Sequence, residues 1–302
     1  MEVTFLGTSG CIPTEKRGLS AVHLDYLGEQ MLFDCGEGTQ RQMRLANLNF
    51  MNLDNIYITH LHADHFLGLG GMIQSMDFLE RETPLNIYGP AGMKDATDKL
   101  LTIGSFKLDY LKVNTHEVGK GLVYQGKRYQ ITAANTDHTR SSLAYCFTED
   151  PHRKFNRKTA IDLGVPVGPL FSRLAEGQPV EVHGKTITPD QVLDPPIPGR
   201  KMVYTGDTKP CEAVAKIAED ADLLIHESMF SHQDLEATED ASHSTAKQAA
   251  EIALKAGAKK LYLTHISQRY PETDKLLQEA REVFPETYIA EDFMKVNIPK
   301  HW

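Results

Sequence analysis

Along the first 150 residues, apolar positions come in short runs cut by turn residues. "VTFLGT", "AVHLDYL", "QMLFDCG", "NIYITH" and "LNIYGP" are rich in β-branched and aromatic residues and are bounded by Gly, Asp, Asn or Pro, the signature of strands. "YQITAAN" and "SLAYCFTE" read the same way. Between them, "FLGLGGMIQSMDFLERE" spaces its apolar residues by three and four and predicts a helix. From 150 to 200 the pattern lapses. "GVPVGPLF", "EGQP" and "DPPIPGRK" are dense in Pro and Gly with little periodicity, which predicts an arm inserted into the domain. Strand and helix then alternate: "KMVYTGD", "KPCEAVAKIAEDA", "DLLIHES", "STAKQAAEIALKAG", "KKLYLTHIS", "DKLLQEAREVF". The chain therefore reads as α/β, with a β-rich first half, a β/α second half and no internal repeat.

Composition adds bounds. At 302 residues and 41% hydrophobic content, the chain can bury a full core as one domain, 1–302, carrying an insertion at 150–200. No stretch approaches the roughly 18 consecutive apolar residues of a membrane helix. The start "MEVTFLGTSG" reads as a strand and not as a leader, so the expectation is a soluble, cytoplasmic protein with no membrane partner. Cys11, Cys35, Cys146 and Cys211 lie far apart without a CxxC pair, which favours reduced thiols over disulfides or metal ligation. A net charge of −9 argues against a basic nucleic-acid coat. Residues 151–201 reverse it locally: eight Lys/Arg against five Asp/Glu leave +3 there and −12 elsewhere.

The chemistry begins at "THLHADH". His60, His62, Asp64 and His65 occupy six positions straight after an apolar strand. Imidazoles and a carboxylate suit Zn²⁺ or a similar divalent ion at about 2.0–2.2 Å, and desolvating them together without a cation would be costly. Four residues cannot fill two metal shells. Three more His or Asp residues end predicted strands: His138 after "YQITAANTD", Asp207 after "KMVYTG" and His265 after "KKLYLT". Each alone is unremarkable, since strand-end histidines and Gly-Asp turns are common. Together the seven suffice for two ions sharing Asp207, a pair able to activate water and to stabilise both oxygens of a phosphodiester displacement.

"THLHADH", His138, "TGDT" and "LTHIS", in that order, resemble the metallo-β-lactamase superfamily along nearly the whole chain. The resemblance implies a four-layer αβ/βα sandwich with metals at one edge between the sheets. "FLGTSGCIPTEKRG", "DCGEGTQRQM", "HESMF" and "HSTAKQAA" narrow it to the ribonuclease Z family, in its short form. "FNRKTAIDLGVPVGPLFSRLAEG" resembles the flexible exosite arm with which that family grips precursor tRNA. Backbone contacts of that kind need exposed Lys/Arg, here Arg153, Lys154, Arg157 and Lys158, with Gly164, Pro166, Gly168 and Pro169 restricting a small tip.

By this resemblance, His60, His62 and His138 hold one Zn²⁺, Asp64, His65 and His265 the second, and Asp207 bridges, two ions per subunit. Asp64 is the implied general base, orienting a metal-bridging hydroxide for in-line attack. His243 is the candidate acid for the leaving ribose 3′-oxygen, with Glu227 keeping it protonated. The other reading of "HSTAKQAA" is that Ser242 or His243 merely caps the helix. His226 reads as buried or second to the site. Lys16, Arg17, Arg41 and Arg44 read equally as phosphate contacts and as ordinary surface charge. His23, His116, His152, His183, His232 and His301 lack any partner pattern. The implied activity is removal of 3′ trailers from precursor tRNA by a homodimer, leaving a tRNA 3′-hydroxyl and a trailer 5′-phosphate; small diesters are plausible further substrates. Two rivals share part of this pattern: a hydrolase of small esters, thioesters, lactams or general phosphodiesters, and a non-catalytic RNA-binding module.

Overall fold

The short apolar runs fold into strands, and in the computed structural model they form two seven-stranded sheets. Residues 1–105, 107–234 and 242–301 are described. The first sheet runs Lys295–Asn297, Glu2–Gly7, Ala21–Tyr26, Glu29–Phe33, Leu53–Tyr57, Leu85–Gly89, Val113–Glu117. The second runs Thr287–Ile289, Leu261–Thr264, Leu223–Glu227, Lys201–Tyr204, Leu143–Glu149, Tyr129–Asn135, Gly121–Gln125. Strands buried on both faces, such as Leu223–Glu227 and Leu261–Thr264, open on apolar runs and are joined in parallel, as expected where helices cover a sheet.

An aromatic layer fills the space between the sheets. Tyr26 of the first sheet meets Phe147 of the second at 5.0 Å, and Phe5 stacks on Tyr262 at 5.5 Å. Each such side chain contributes about 1.5–3 kcal/mol on burial, so this layer is the main cement of the sandwich. Helices Thr39–Leu45, Gly68–Phe78 and Met93–Thr102 pack on the outer face of the first sheet. Helices Glu212–Ile217, Ala246–Ala256 and Asp274–Arg281 pack on that of the second. The result is the expected four-layer order, helix, sheet, sheet, helix.

Several local readings change. The helix expected after "HLHADH" breaks into Ala63–Phe66 and Gly68–Phe78, because the Gly68 N–H donates to Cys35 O at 2.9 Å. Helix Met93–Thr102 and edge strands Val113–Glu117 and Gly121–Gln125 carry too few buried positions to show a period. Helix Ala246–Ala256 is capped by Thr245, whose hydroxyl accepts the Gln248 N–H while the Gln248 side chain accepts the Thr245 N–H, a capping box. Ser242 and His243 are therefore not the cap, and that alternative is removed.

The chain divides into two compact units, one of Met1–Thr148 with Lys201–Pro299, the other of Glu149–Arg200 with the last residues from Lys300. The smaller unit is more ordered than its sequence suggests. It has helices Arg157–Asp162 and Pro169–Ala175, a hairpin of Val180–Val182 with Lys185–Ile187, and a core of Ala160, Val165, Leu174, Val180, Val182, Ile187 and Val192. Helices of six and seven residues are too short to display a 3.6-residue repeat. The buried Glu149 carboxylate accepts from Arg200 Nε at 2.7 Å and from its Nη2 at 2.9 Å.

Candidate metal centre

Six strand ends, two from the first sheet and four from the second, bring polar side chains to one edge of the larger unit. Asp34 follows Glu29–Phe33, His60 follows Leu53–Tyr57, His138 follows Tyr129–Asn135, Asp207 follows Lys201–Tyr204, Glu227 ends Leu223–Glu227, and His265 follows Leu261–Thr264. His62 precedes the short helix Ala63–Phe66, whose first turns carry Asp64 and His65. That turn packs against residues 34–36, with Cys35 N donating to His65 O at 2.7 Å. A Cβ on Gly36 would lie 2.4 Å from Asp64 O, so only glycine permits the approach.

All seven sequence-chosen residues meet there, in two sets. Ligand atoms of His60, His62, His138 and Asp207 lie within 4.8 Å of one another, as do those of Asp64, His65 and His265. Asp207 faces both. Its Oδ1 lies 3.3 Å from Nε2 of both His65 and His265, and its Oδ2 lies 3.6 and 3.7 Å from Nε2 of His60 and His138. Nε2 of His65 and His265 are 3.3 Å apart, and His138 Nε2 is 3.1 Å from His62 Nδ1. His60 Nε2 and Asp207 Oδ1 are buried without a hydrogen-bond partner. Unpartnered buried acceptors of this kind are costly, and a divalent cation in each set would satisfy them; the donor set of imidazole and carboxylate suits zinc or a similar divalent ion. Cys11, beside the site, has its thiol pushed up to about 11 by burial and by Asp64 and Asp207, so it stays protonated.

The outer atoms of these side chains are held in turn. His65 Nδ1 lies 2.7 Å from Asp34 Oδ2, His138 Nδ1 lies 2.8 Å from Ser242 O, and His60 Nδ1 lies 3.0 Å from Thr59 Oγ1. Such partners set which nitrogen faces the metal. Asp34 was absent from the expected site. It is wholly buried with φ +58° and also accepts from Thr59 N and Oγ1 and from the Tyr204 hydroxyl. Its position after "QMLF" satisfies the same strand-end rule that selects His138 and Asp207.

Burial holds His60 well below the ordinary histidine value, so its lone pair is free at neutral pH. Burial also opposes charge on His65, but Asp207 and Asp34 outweigh it and hold its pKa well above that value. A proton and a cation therefore compete for this residue. Asp64 is desolvated, yet hydrogen bonds from His265 and His65 hold its carboxyl well below the usual range.

Behind Asp207 sits a second carboxylate. Glu227 is buried and lies 2.9 Å from His243 Nδ1. It also accepts N–H groups from Thr208 at 2.7 Å, Ser244 at 3.2 Å and Met229 at 3.3 Å. Burial opposes a charge on His243, but Glu227 prevails and raises it to about 9. His226 is fully buried. Of the four basic residues near the first loop, Lys16, Arg41 and Arg44 are exposed. Arg17 instead donates to Thr8 Oγ1 and Ala290 O, both at 2.6 Å, and is committed internally.

In the smaller unit, Lys154, Arg157 and Lys158 are exposed, as are Gly164, Pro166, Gly168 and Pro169. Arg153 departs from expectation: it bonds Asp190, Asp194 O and Leu193 O. The charge balance also changes. Bounded at Glu149 and Arg200, the segment holds seven basic and seven acidic residues, so its positive character is a local run at 153–158 rather than a net charge.

Residues 1–155 match the family model described as Anti-Pycsar protein Apyc1, and residues 176–266 match that of a Beta-lactamase superfamily domain. Ribonuclease Z of Methanosarcina acetivorans is 47% identical over 301 residues, covering 99% of this chain and 98% of that protein. Ribonuclease Z of Methanothermobacter thermautotrophicus is 48% identical over 298 residues, covering 99% and 97%. Among solved structures, human tRNase Z, short form, superposes with TM-score 0.73 at 29% identity, covering 99% of this chain and 100% of its own.

Proposed function

The chain belongs to the ribonuclease Z family, and from that premise we propose how its residues carry out metal-dependent cleavage at tRNA 3′ ends. It is a metal-dependent tRNA 3′-processing endoribonuclease with the metallo-β-lactamase fold. Our reading assigns two Zn²⁺ ions per subunit, one to His60, His62 and His138, the other to Asp64, His65 and His265, with Asp207 shared. The observation that carries it is the placement of Asp207, whose two carboxylate oxygens each face a different histidine pair.

When bound, the cations supply Lewis-acid activation of water and neutralise charge on the phosphoryl oxygens. Asp64 orients the attacking water in line with the scissile bond; its depressed pKa makes it a poor proton store and a good fixed acceptor. His243, held by Glu227 with Nδ1 occupied, presents Nε2–H to the departing 3′-oxygen as the P–O bond breaks. The tRNA leaves with a 3′-hydroxyl and the trailer with a 5′-phosphate. Lys154, Arg157 and Lys158 supply phosphate contacts to the tRNA body, with Gly164, Pro166, Gly168 and Pro169 shaping the link between the two short helices. Arg153 serves the unit's own structure. We assign a cytoplasmic homodimer in which the smaller unit of one subunit holds the tRNA cut by the other; no described helix is long and apolar enough to cross a membrane.

The test is incubation with a 3′-extended tRNA and mapping of the cut, wild type against Asp64→Ala. A cut at the end of the acceptor stem that disappears in the variant is expected; cleavage persisting in the variant overturns the assignment. Sedimentation of the wild type at micromolar concentration checks the dimer.

A further inference from the structure

A loop at Ser9–Gly18 lies against the metal centre without contributing a ligand. The Cys11 N–H donates to Asp64 Oδ2 at 2.9 Å. Ser9 and Gly10 pair in parallel with Ile266 and Ser267, the residues straight after His265. Gly10 also walls the His265 ring, since a Cβ there would lie 2.9 Å from its Cε1 and Nδ1. Both contacts fall on members of one ligand set, Asp64 and His265.

The loop's two ends are tied by one distant carboxylate. Asp292 Oδ1 accepts the hydroxyl of Thr8 at 2.8 Å, 284 positions away. Its Oδ2 accepts Gly18 N–H and the Gln42 side-chain amide, each at 2.6 Å. The Thr8 hydroxyl in turn accepts from Arg17 at 2.6 Å, and the Ser9 N–H donates to Gly18 O at 2.9 Å. A charged acceptor gathering three donors is stronger and more directional than neutral pairs, so it fixes where the loop's intervening backbone sits.

Resting on the two-metal reading above, we infer that Ser9–Gly18 is a backbone clamp on the Asp64/His65/His265 metal site and that Asp292 is its positioning residue. Removing the carboxylate takes a shared acceptor from Thr8, Gly18 and Gln42 at once. Cys11 N–H and the Gly10 wall then lose their stations, and the site they orient weakens while the His60/His62/His138 site does not.

The test is metal binding rather than activity: competition of zinc-loaded protein against a metallochromic chelator, with bound zinc counted by native mass spectrometry. Wild type should hold two equivalents. In Asp292→Ala one equivalent should weaken about 10–100-fold, the usual effect of losing an outer partner of a ligand, and the other should keep its wild-type affinity. Thr8→Val, which keeps the side-chain shape and deletes only the shared hydroxyl, should show the same selectivity to a smaller extent, and it carries the test if Asp292→Ala does not fold. Unchanged affinity at both sites, or equal loss at both, overturns the clamp alone. A wild type holding one equivalent overturns the two-site reading and the clamp with it.

Discussion

The candidate metal centre and the Glu149–Arg200 unit both gather charged side chains, but they are built in opposite ways. At the centre, buried ligands have their outer atoms held by a second group: Asp34 behind His65, Ser242 O behind His138, Thr59 behind His60. In the smaller unit, Lys154, Arg157 and Lys158 are exposed above a core made mostly of Val and Ala with one Leu and one Ile. The contrast separates two tasks. Chemistry needs ligands held to a fraction of an ångström, whereas grip on a phosphate backbone tolerates solvated, independently acting cations. Loss of a metal ligand should therefore be all-or-none and independent of substrate, and loss in the smaller unit graded and specific to tRNA.

The largest effect should follow Asp207→Ala. Asp207 faces both groups of side chains, so on the two-ion reading its removal should abolish tight zinc binding and reduce cleavage of tRNA and of small diesters alike, by about 10³-fold or more if several kcal/mol of charge stabilisation is lost. Zinc content and both rates check it. Retention of two tightly held ions would break the picture of one shared ligand. Lowering pH should release zinc from the wild type ahead of unfolding, because acid favours the proton that competes for His65.

Next comes His243→Ala, expected to slow tRNA cleavage about 10²–10⁴-fold. An acid matters only when the leaving group needs a proton. A bis(p-nitrophenyl) diester expels a stable phenolate, so its hydrolysis should fall by less than about tenfold. Equal losses on both substrates would reassign His243 to structure or to metal binding, for which its 3.9 Å approach to Asp207 gives an opening.

These residues were open to sequence reasoning for a physical reason. His60, His62, Asp64 and His65 share one turn, and His138, Asp207 and His265 each end an apolar strand, so local pattern alone places them at a sheet edge. Asp34 obeys the same rule, but its partners Thr59 and Tyr204 come from a neighbouring strand and from the opposite sheet, and no local pattern joins them. The Cys11 N–H on Asp64 is a backbone group and leaves no trace in side-chain identity. In the insertion, short helices hid the order, and the expected net charge vanished because the compact segment takes in Glu149 and Asp150 and leaves out Lys201. Arg153 and Arg157 look alike in sequence, yet only the first is bonded to Asp190.

Deleting residues 152–198 should cost less than either catalytic change and should act on one substrate only. The strands flanking the insertion pair antiparallel, with Thr148 opposite Lys201, so a short turn can close the gap. Three lost phosphate contacts at about 1 kcal/mol each predict a drop of about 10²-fold in kcat/KM for precursor tRNA. Cleavage of small diesters should be unchanged. Full tRNA activity in the deletion would remove the smaller unit from substrate binding.

The smallest effects should come from single charges, and they distinguish a true backbone contact from a solvated surface residue. A lysine or arginine that neutralises one phosphate displaces counterions, so removing it should lessen the slope of log Kd against log salt by about 0.7–0.9. Lys158→Ala and Arg157→Ala are each expected to show that change with only a few-fold loss of affinity at moderate salt. Arg153→Ala should leave the slope alone, because its guanidinium is already engaged by Asp190, Asp194 O and Leu193 O. Instead it should lower the unit's stability by about 1–3 kcal/mol, since two carbonyls and a carboxylate lose a charged donor. Fluorescence anisotropy of labelled tRNA across a salt series reads the slopes. If Arg153→Ala changes the slope and Lys158→Ala does not, the exposed run 154–158 is ordinary surface charge and the tRNA contacts lie elsewhere on the unit.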